Sequence, residues 1–189
     1  MDFLLIALLT TLNGVFAMSE LAIVSAKTNT LEAKAEAGSS SARIAINLAH
    51  DPGKFLSTVQ IGITLIGIVA GAYSGASLGG PVGERMEALG LPPEYADEAG
   101  FAVVIALTTS LSVVVGELVP KQLALRSAVP LALIMARPMA LLSRIGAPLV
   151  WLLDSSSAVI FNLFGLRRTD EATVTAEELR MIFAEATRS

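Results

Sequence analysis

The sequence predicts an all-α membrane protein, with three transmembrane helices and cytoplasmic juxtamembrane helices. Three observations carry that reading. Of 189 residues, 53% are hydrophobic and 16% charged, with a mean hydropathy of +0.68, whereas soluble domains are typically about 25% charged. Three apolar runs, 3–25, 55–77 and 99–120, reach the roughly 20 residues that a helix needs to cross a bilayer. Lysine and arginine gather at the ends of these runs on one side only.

The first run is a span rather than a signal peptide. Asp2 is the only early charge, so the positive n-region is missing, and no clear cleavage site follows a short apolar core. The run carries polar cargo: Asn13, Ala17 and Glu20 share a face at helical spacing, with Ser19 beside it. Gly14 would admit a neighbouring helix.

Residues 28–50 read as two short helices separated at Gly38-Ser39, with Ser39 as N-cap of the second. Ile44, Ile46 and Leu48, with Arg43 and His50, suggest an element lying against the membrane, ended by Asp51-Pro52. On the second run, Ser57, Thr58, Gln60 and Thr64 place polar atoms near one mouth. Gly67, Gly71 and Gly75 recur every four residues, a small-xxx-small pattern for close helix packing or for a seam between two copies. Leu78–Glu98 reads as the connection to the third run. Arg85 is its only base among Glu84, Glu87, Glu94, Asp97 and Glu98.

Lys27, Lys34, Arg43 and Lys54 lie between the first two runs, and Lys121 and Arg126 follow the third. This bias places that first connection and the C-terminus in the cytoplasm, and the N-terminus outside. The expected location is the cell membrane. Residues 128–166 are apolar but punctuated by Pro130, Pro138 and Pro148 and by Arg137, Arg144 and Asp154. They read as interfacial or half-inserted helices around the spans. Thr175-Ala176-Glu177-Glu178 resembles a capping box that opens a helix with Leu179, Ile182, Phe183 and Ala186 on one stripe. That stripe lacks a partner within the sequence, so 171–189 reads as the start of a linker to a further domain.

The chemistry concentrates at Gly116-Glu117-Leu118-Val119-Pro120-Lys121. An ionisable residue beside the hydrocarbon core is a functional-site hypothesis by default. Pro120 cannot donate to the carbonyl four residues back, that of Gly116, and its ring pushes that carbonyl aside. A free backbone oxygen and an anionic oxygen then lie together, a pair that suits a hard cation such as Mg²⁺. The alternative is an ordinary i,i+4 pair between Glu117 and Lys121, and Glu20 has a similar alternative with Lys27 or Lys121. Thr108, Thr109, Ser110 and Ser112 precede the Gly-Glu pair, although such hydroxyls commonly bond back to their own helix.

Other chemistries find no support. The absence of cysteine excludes disulfides and thiolate chemistry. A formal charge of −4 without a basic run gives nucleic-acid binding no footing. His50 is the lone histidine, and neither a Gly-x-Ser-x-Gly elbow nor a phosphate loop occurs. No enzyme is expected, nor any small-molecule substrate other than cations.

Three motifs in order resemble one family. They are Asn13-Gly14-Val15-Phe16-Ala17-Met18-Ser19-Glu20, then Phe55-Leu56-Ser57-Thr58-Val59-Gln60-Ile61-Gly62, then Gly116-Glu117-Leu118-Val119-Pro120-Lys121. Together they resemble the transmembrane domain of the CorB/CorC and cyclin-M (CNNM) magnesium transporters over nearly the whole chain. The resemblance implies a homodimer with three spans per subunit and a juxtamembrane belt, surrounded by membrane lipid. It also implies a cytoplasmic CBS pair beyond these residues, which would be the only place for ATP. Export of Mg²⁺ coupled to Na⁺ entry is the implied activity.

The residues and the resemblance together suggest a dehydrated Mg²⁺ site using the Gly116 carbonyl, Glu117, Ser19, Asn13 and Gln60, with Glu20 as a further candidate. The resemblance also implies asparagine at the Glu20 position in animal relatives, so a charge there is not implied as obligatory, while an oxygen ligand stays open. Two rivals stand beside this reading. One is a non-transporting magnesium sensor or scaffold. The other is a membrane anchor whose glutamates are merely paired with lysines.

Overall fold

The computed structural model describes residues 1–164, and every regular element among them is helical. In order they are α1 (Asp2–Ser25), α2 (Thr28–Glu36), α3 (Ser40–His50), α4 (Pro52–Ala88), α5 (Pro93–Val113), a π-helical segment (Val114–Leu118), α6 (Val119–Arg126) and α7 (Ala128–Leu163). The capping box at Thr175 and the stripe that follows it lie outside the described residues.

The short connection folds as its sequence reads. Gly38 takes φ 96°, a left-handed conformation open to glycine. Ser39 then caps α3 by accepting a hydrogen bond from the Ala42 backbone N–H at 3.3 Å.

Met1–Ala147 form one compact unit. Its apolar core gathers where α2, α3 and the start of α7 meet α1 and α4. Ala17 and Ile23 of α1, Leu31 of α2, Ala45 of α3 and Phe55 and Val59 of α4 are buried there. Ala132, Ala136 and Met139 of α7 join them, spaced three or four residues apart so that one face turns inward. Leu8, Leu65, Ile68 and Leu107 are exposed in mid-helix, as expected of helices whose outer surface meets lipid rather than water.

The second expected span is longer than its apolar run. α4 continues unbroken past Pro81 to Ala88, and α5 starts at Pro93, so the reading of Leu78–Glu98 as a connection is corrected to a turn at 89–92. The reason is packing. β-carbons placed on Gly79, Gly83 and Gly100 would press into backbone of the facing helix, which marks a zipped hairpin without side chains at its seam. At 1.5 Å per residue α4 is about 55 Å long, and a hydrocarbon core is about 30 Å thick. α4 is therefore longer than a hydrocarbon core is thick.

Within the chain the small-residue pattern is used in part. Only Gly75 of the expected trio is in close contact, with Phe101 and Ile105 of α5, while Gly67 and Gly71 face open space.

The prolines of 128–166 do not break that segment. α7 is continuous from Ala128 to Leu163. Pro130 sits in its first turn, where the N–H would be unpaired anyway, and Pro138 and Pro148 lie in an apolar helix of the kind that tolerates proline in membranes. By length and composition four helices are able to cross a membrane: α1, α4, the run Pro93–Arg126 and α7. The second compact unit begins at Pro148. There Ser155, Ser156 and Ser157 each donate to the carbonyl four residues back, which leaves no hydroxyl donor to spare on that stretch.

Candidate functional site

The expected kink at Pro120 takes the form of a π-helical segment. The Val119 N–H donates to the Val114 carbonyl, five residues back rather than four. Such single-turn insertions recur at functional sites. Pro120 has no N–H, so the Gly116 carbonyl loses its α-helical donor. Asn13 of α1 replaces it, its Nδ2 donating to the Gly116 oxygen at 3.1 Å in a buried setting.

That bond fixes the Asn13 amide, because a flipped amide would set two acceptors face to face. It leaves Asn13 Oδ1 buried with no donor among the described residues. A buried acceptor without a protein partner is an oxygen free to meet an ion or a water.

The helices can meet here because both sides are glycine. A β-carbon on Gly14 would lie 3.0 Å from Cγ of Pro120, and one on Gly116 would lie 3.0 Å from the Thr10 carbonyl oxygen. The three sequence motifs also touch one another. Phe16 of the first covers Gly62 of the second, and Gly14 of the first covers Pro120 of the third.

Beside this crossing lies a cavity of about 140 Å³ lined by Asn13, Gly67, Gly71, Thr108, Thr109, Ser112 and Glu117, with apolar neighbours. Gly67 and Gly71 leave it open on the α4 side, where any larger residue would intrude. Its height is near the middle of both α1 and α4, counted along each helix. Glu117 is the one ionisable group on its wall. The carboxylate Oε1 accepts from Lys121 Nζ at 2.7 Å, and both side chains are about one-third exposed (34% and 32%). Such a pair is screened, and it exchanges partners at little cost.

Of the six expected site residues, the structure brings Asn13, Gly116 and Glu117 together. Ser19, Glu20 and Gln60 are not on the cavity wall. Ser19 is buried and donates to the Val15 carbonyl at 2.6 Å. Among the described residues Glu20 has no ion pair, and its Oε2 is buried without a hydrogen-bond donor. Gln60 is exposed. Three wall residues were visible in the sequence only as generic hydroxyls, namely Thr108, Thr109 and Ser112. Their spacing of one helical turn, ending one turn before Gly116, is the signal that marks them. Among the described residues no three carboxylate or imidazole side chains cluster, so a cation here would rest on neutral oxygens and one carboxylate.

Replacing Asn13 with Ala is expected to cost about 1–3 kcal/mol, the usual range for stranding a buried carbonyl. Thermal unfolding in detergent, beside an exposed-face control such as Leu8→Ala, measures it.

A family profile described as "Cyclin M transmembrane N-terminal domain" matches residues 3–189. The chain belongs to the cyclin M transmembrane domain family. UPF0053 protein sll0260 of Synechocystis sp. is 39% identical to it, over 100% of this chain and 42% of the relative. UPF0053 protein YhdT of Bacillus subtilis is 35% identical, over 98% of this chain and 41% of the relative. A protein of Escherichia coli named polyamine export protein is 24% identical, over 93% of this chain and 39% of that protein. The chain thus spans about two-fifths of the curated relatives it matches. Family and helices together make this cyclin M domain a multi-pass membrane protein.

Proposed function

We propose that this domain carries Mg²⁺ across the membrane through the cavity beside Gly116 and Glu117, outward and in exchange for Na⁺. One observation supports the reading above the others. Asn13, whose amide oxygen is buried without a partner among the described residues, lines a small cavity with Thr108, Thr109, Ser112 and Glu117 beside a broken helix, near the middle of α1 and α4. A dehydrated Mg²⁺ asks for about six oxygens at about 2.0–2.1 Å, and the Gly116 carbonyl joins the set if Asn13 turns away. The hydroxyls of Thr108, Thr109 and Ser112 suit Na⁺ in the returning state.

In this reading the N-terminus is outside, the C-terminus cytoplasmic, and three spans per subunit pair in a homodimer, with nucleotide control left to a CBS module. Lys121 is a resident competitor for Glu117. Lys121→Met should therefore tighten Mg²⁺ binding about two- to fivefold, which is the worth of an exposed ion pair. Calorimetric titration reads the change, and weakened binding would make Lys121 a partner in the site instead.

A second reading has its own support. An ammonium group already rests on Glu117, and one relative is named as a polyamine exporter. The cargo would then be an organic polycation. Vesicles containing only this protein decide the matter. Na⁺-driven Mg²⁺ flux supports the proposal, spermidine flux without Mg²⁺ flux supports the second reading, and Mg²⁺ binding without flux supports a sensor.

A further inference from the structure

A groove of about 360 Å³ runs between α3 and α7, away from the central cavity. Its walls combine Arg137, Arg144, Asn47 and Ser143 with Ile44 and Leu141. Both arginines are exposed, and no carboxylate pairs with either among the described residues. Arg137 is oriented by a hydrogen bond to Ser40 Oγ at the start of α3, and Arg144 makes no side-chain hydrogen bond among the described residues. The two are seven residues apart on α7, which puts them on one side of the helix and about 10 Å apart along it.

Exposed apolar side chains flank this basic pair. Ile134, Leu141 and Ile145 of α7 lie at 65%, 61% and 67% exposure on a stripe adjoining that of the arginines, and Leu141 shares the groove with them. A water-facing surface would not hold three such residues around two unpaired guanidinium groups. A surface at the level of lipid headgroups would, because arginine keeps its stem among acyl chains and its fork on phosphate oxygens. Basic pockets between helices at a membrane face are the usual seats of anionic headgroups.

We propose that this groove binds the phosphate headgroup of an anionic phospholipid, with Arg137 and Arg144 on the phosphate oxygens, Asn47 and Ser143 as further donors, and the acyl chains along Leu141 and Ile145. The assignment is independent of the cation cavity and of the cargo it carries. It gives α7 a role as the element that seats the unit of residues 1–147 at a definite depth in the membrane.

The test is native mass spectrometry of the purified protein in detergent, titrated with phosphatidylglycerol and, separately, with phosphatidylcholine of the same chains. Phosphatidylglycerol should remain bound to the wild type where phosphatidylcholine does not, and Arg137→Gln with Arg144→Gln should weaken its retention at least tenfold. Arg126→Gln, a base outside the groove, should leave retention unchanged. Equal retention of the two lipids, or full retention by the double variant, overturns the proposal. So does displacement by millimolar inorganic phosphate, which would make the ligand a free anion. Should the double variant lose its helical circular dichroism, Arg144→Gln alone decides, since that side chain is exposed and holds no hydrogen bond among the described residues; its expected loss is severalfold, and no loss overturns the proposal.

Discussion

Glu117→Gln is expected to lower Mg²⁺ affinity by on the order of a hundredfold, about 3 kcal/mol on the usual conversion. The substitution keeps the size and removes the charge. The other oxygens on the cavity wall, from Asn13, Thr108, Thr109 and Ser112, are all neutral. A site that replaces the water of a hard divalent ion cannot do so on dipoles alone. The fold should survive, because the variant loses only a one-third-exposed pair with Lys121, worth at most about 1 kcal/mol. Calorimetric titration of wild type and variant, with and without Na⁺, measures both affinity and competition. Unchanged affinity moves the cation away from Glu117. A loss of affinity together with a collapsed melting temperature would assign the residue to structure instead.

Much of this arrangement was legible in the residues. Pro120 dictates a carbonyl without a donor at Gly116, and a proline has no way around that. The Gly38-Ser39 break, the three main apolar runs and the crossing at Gly14 all follow from local chemistry. The identity of the replacement donor was not legible. Asn13 is 103 residues from Gly116, and no periodicity reports which polar residue on another helix will arrive. Prolines misled in α7 for a related reason. In an apolar helix the cost of a missing bond depends on neighbours and lipid, which a sequence does not display. The glycines of α4 were the least legible. A repeat every four residues says that one face is small, but not whether another helix or a cavity occupies it.

That last distinction yields the second large effect. Gly100→Ala is expected to destabilise the domain by about 3 kcal/mol, the upper end of the usual cost of overpacking. Its β-carbon would enter the Gly79 carbonyl oxygen and stand 2.5 Å from the Gly83 nitrogen, both of them backbone. Flexible side chains can step aside, but helix backbone can yield only by separating α4 from α5. Gly80, one residue from the same seam, has nothing within 4 Å of an added β-carbon. Gly80→Ala should therefore be neutral or stabilising by up to about 1 kcal/mol through helix propensity alone. Thermal unfolding of both variants in one detergent gives the contrast. If both behave alike, the α4–α5 seam is not backbone-tight. If only Gly100→Ala falls, the separation of the two helices should also enlarge the cavity. Its walls at Gly67, Gly71, Thr108 and Ser112 belong to the same pair of helices, so cation binding should weaken in proportion.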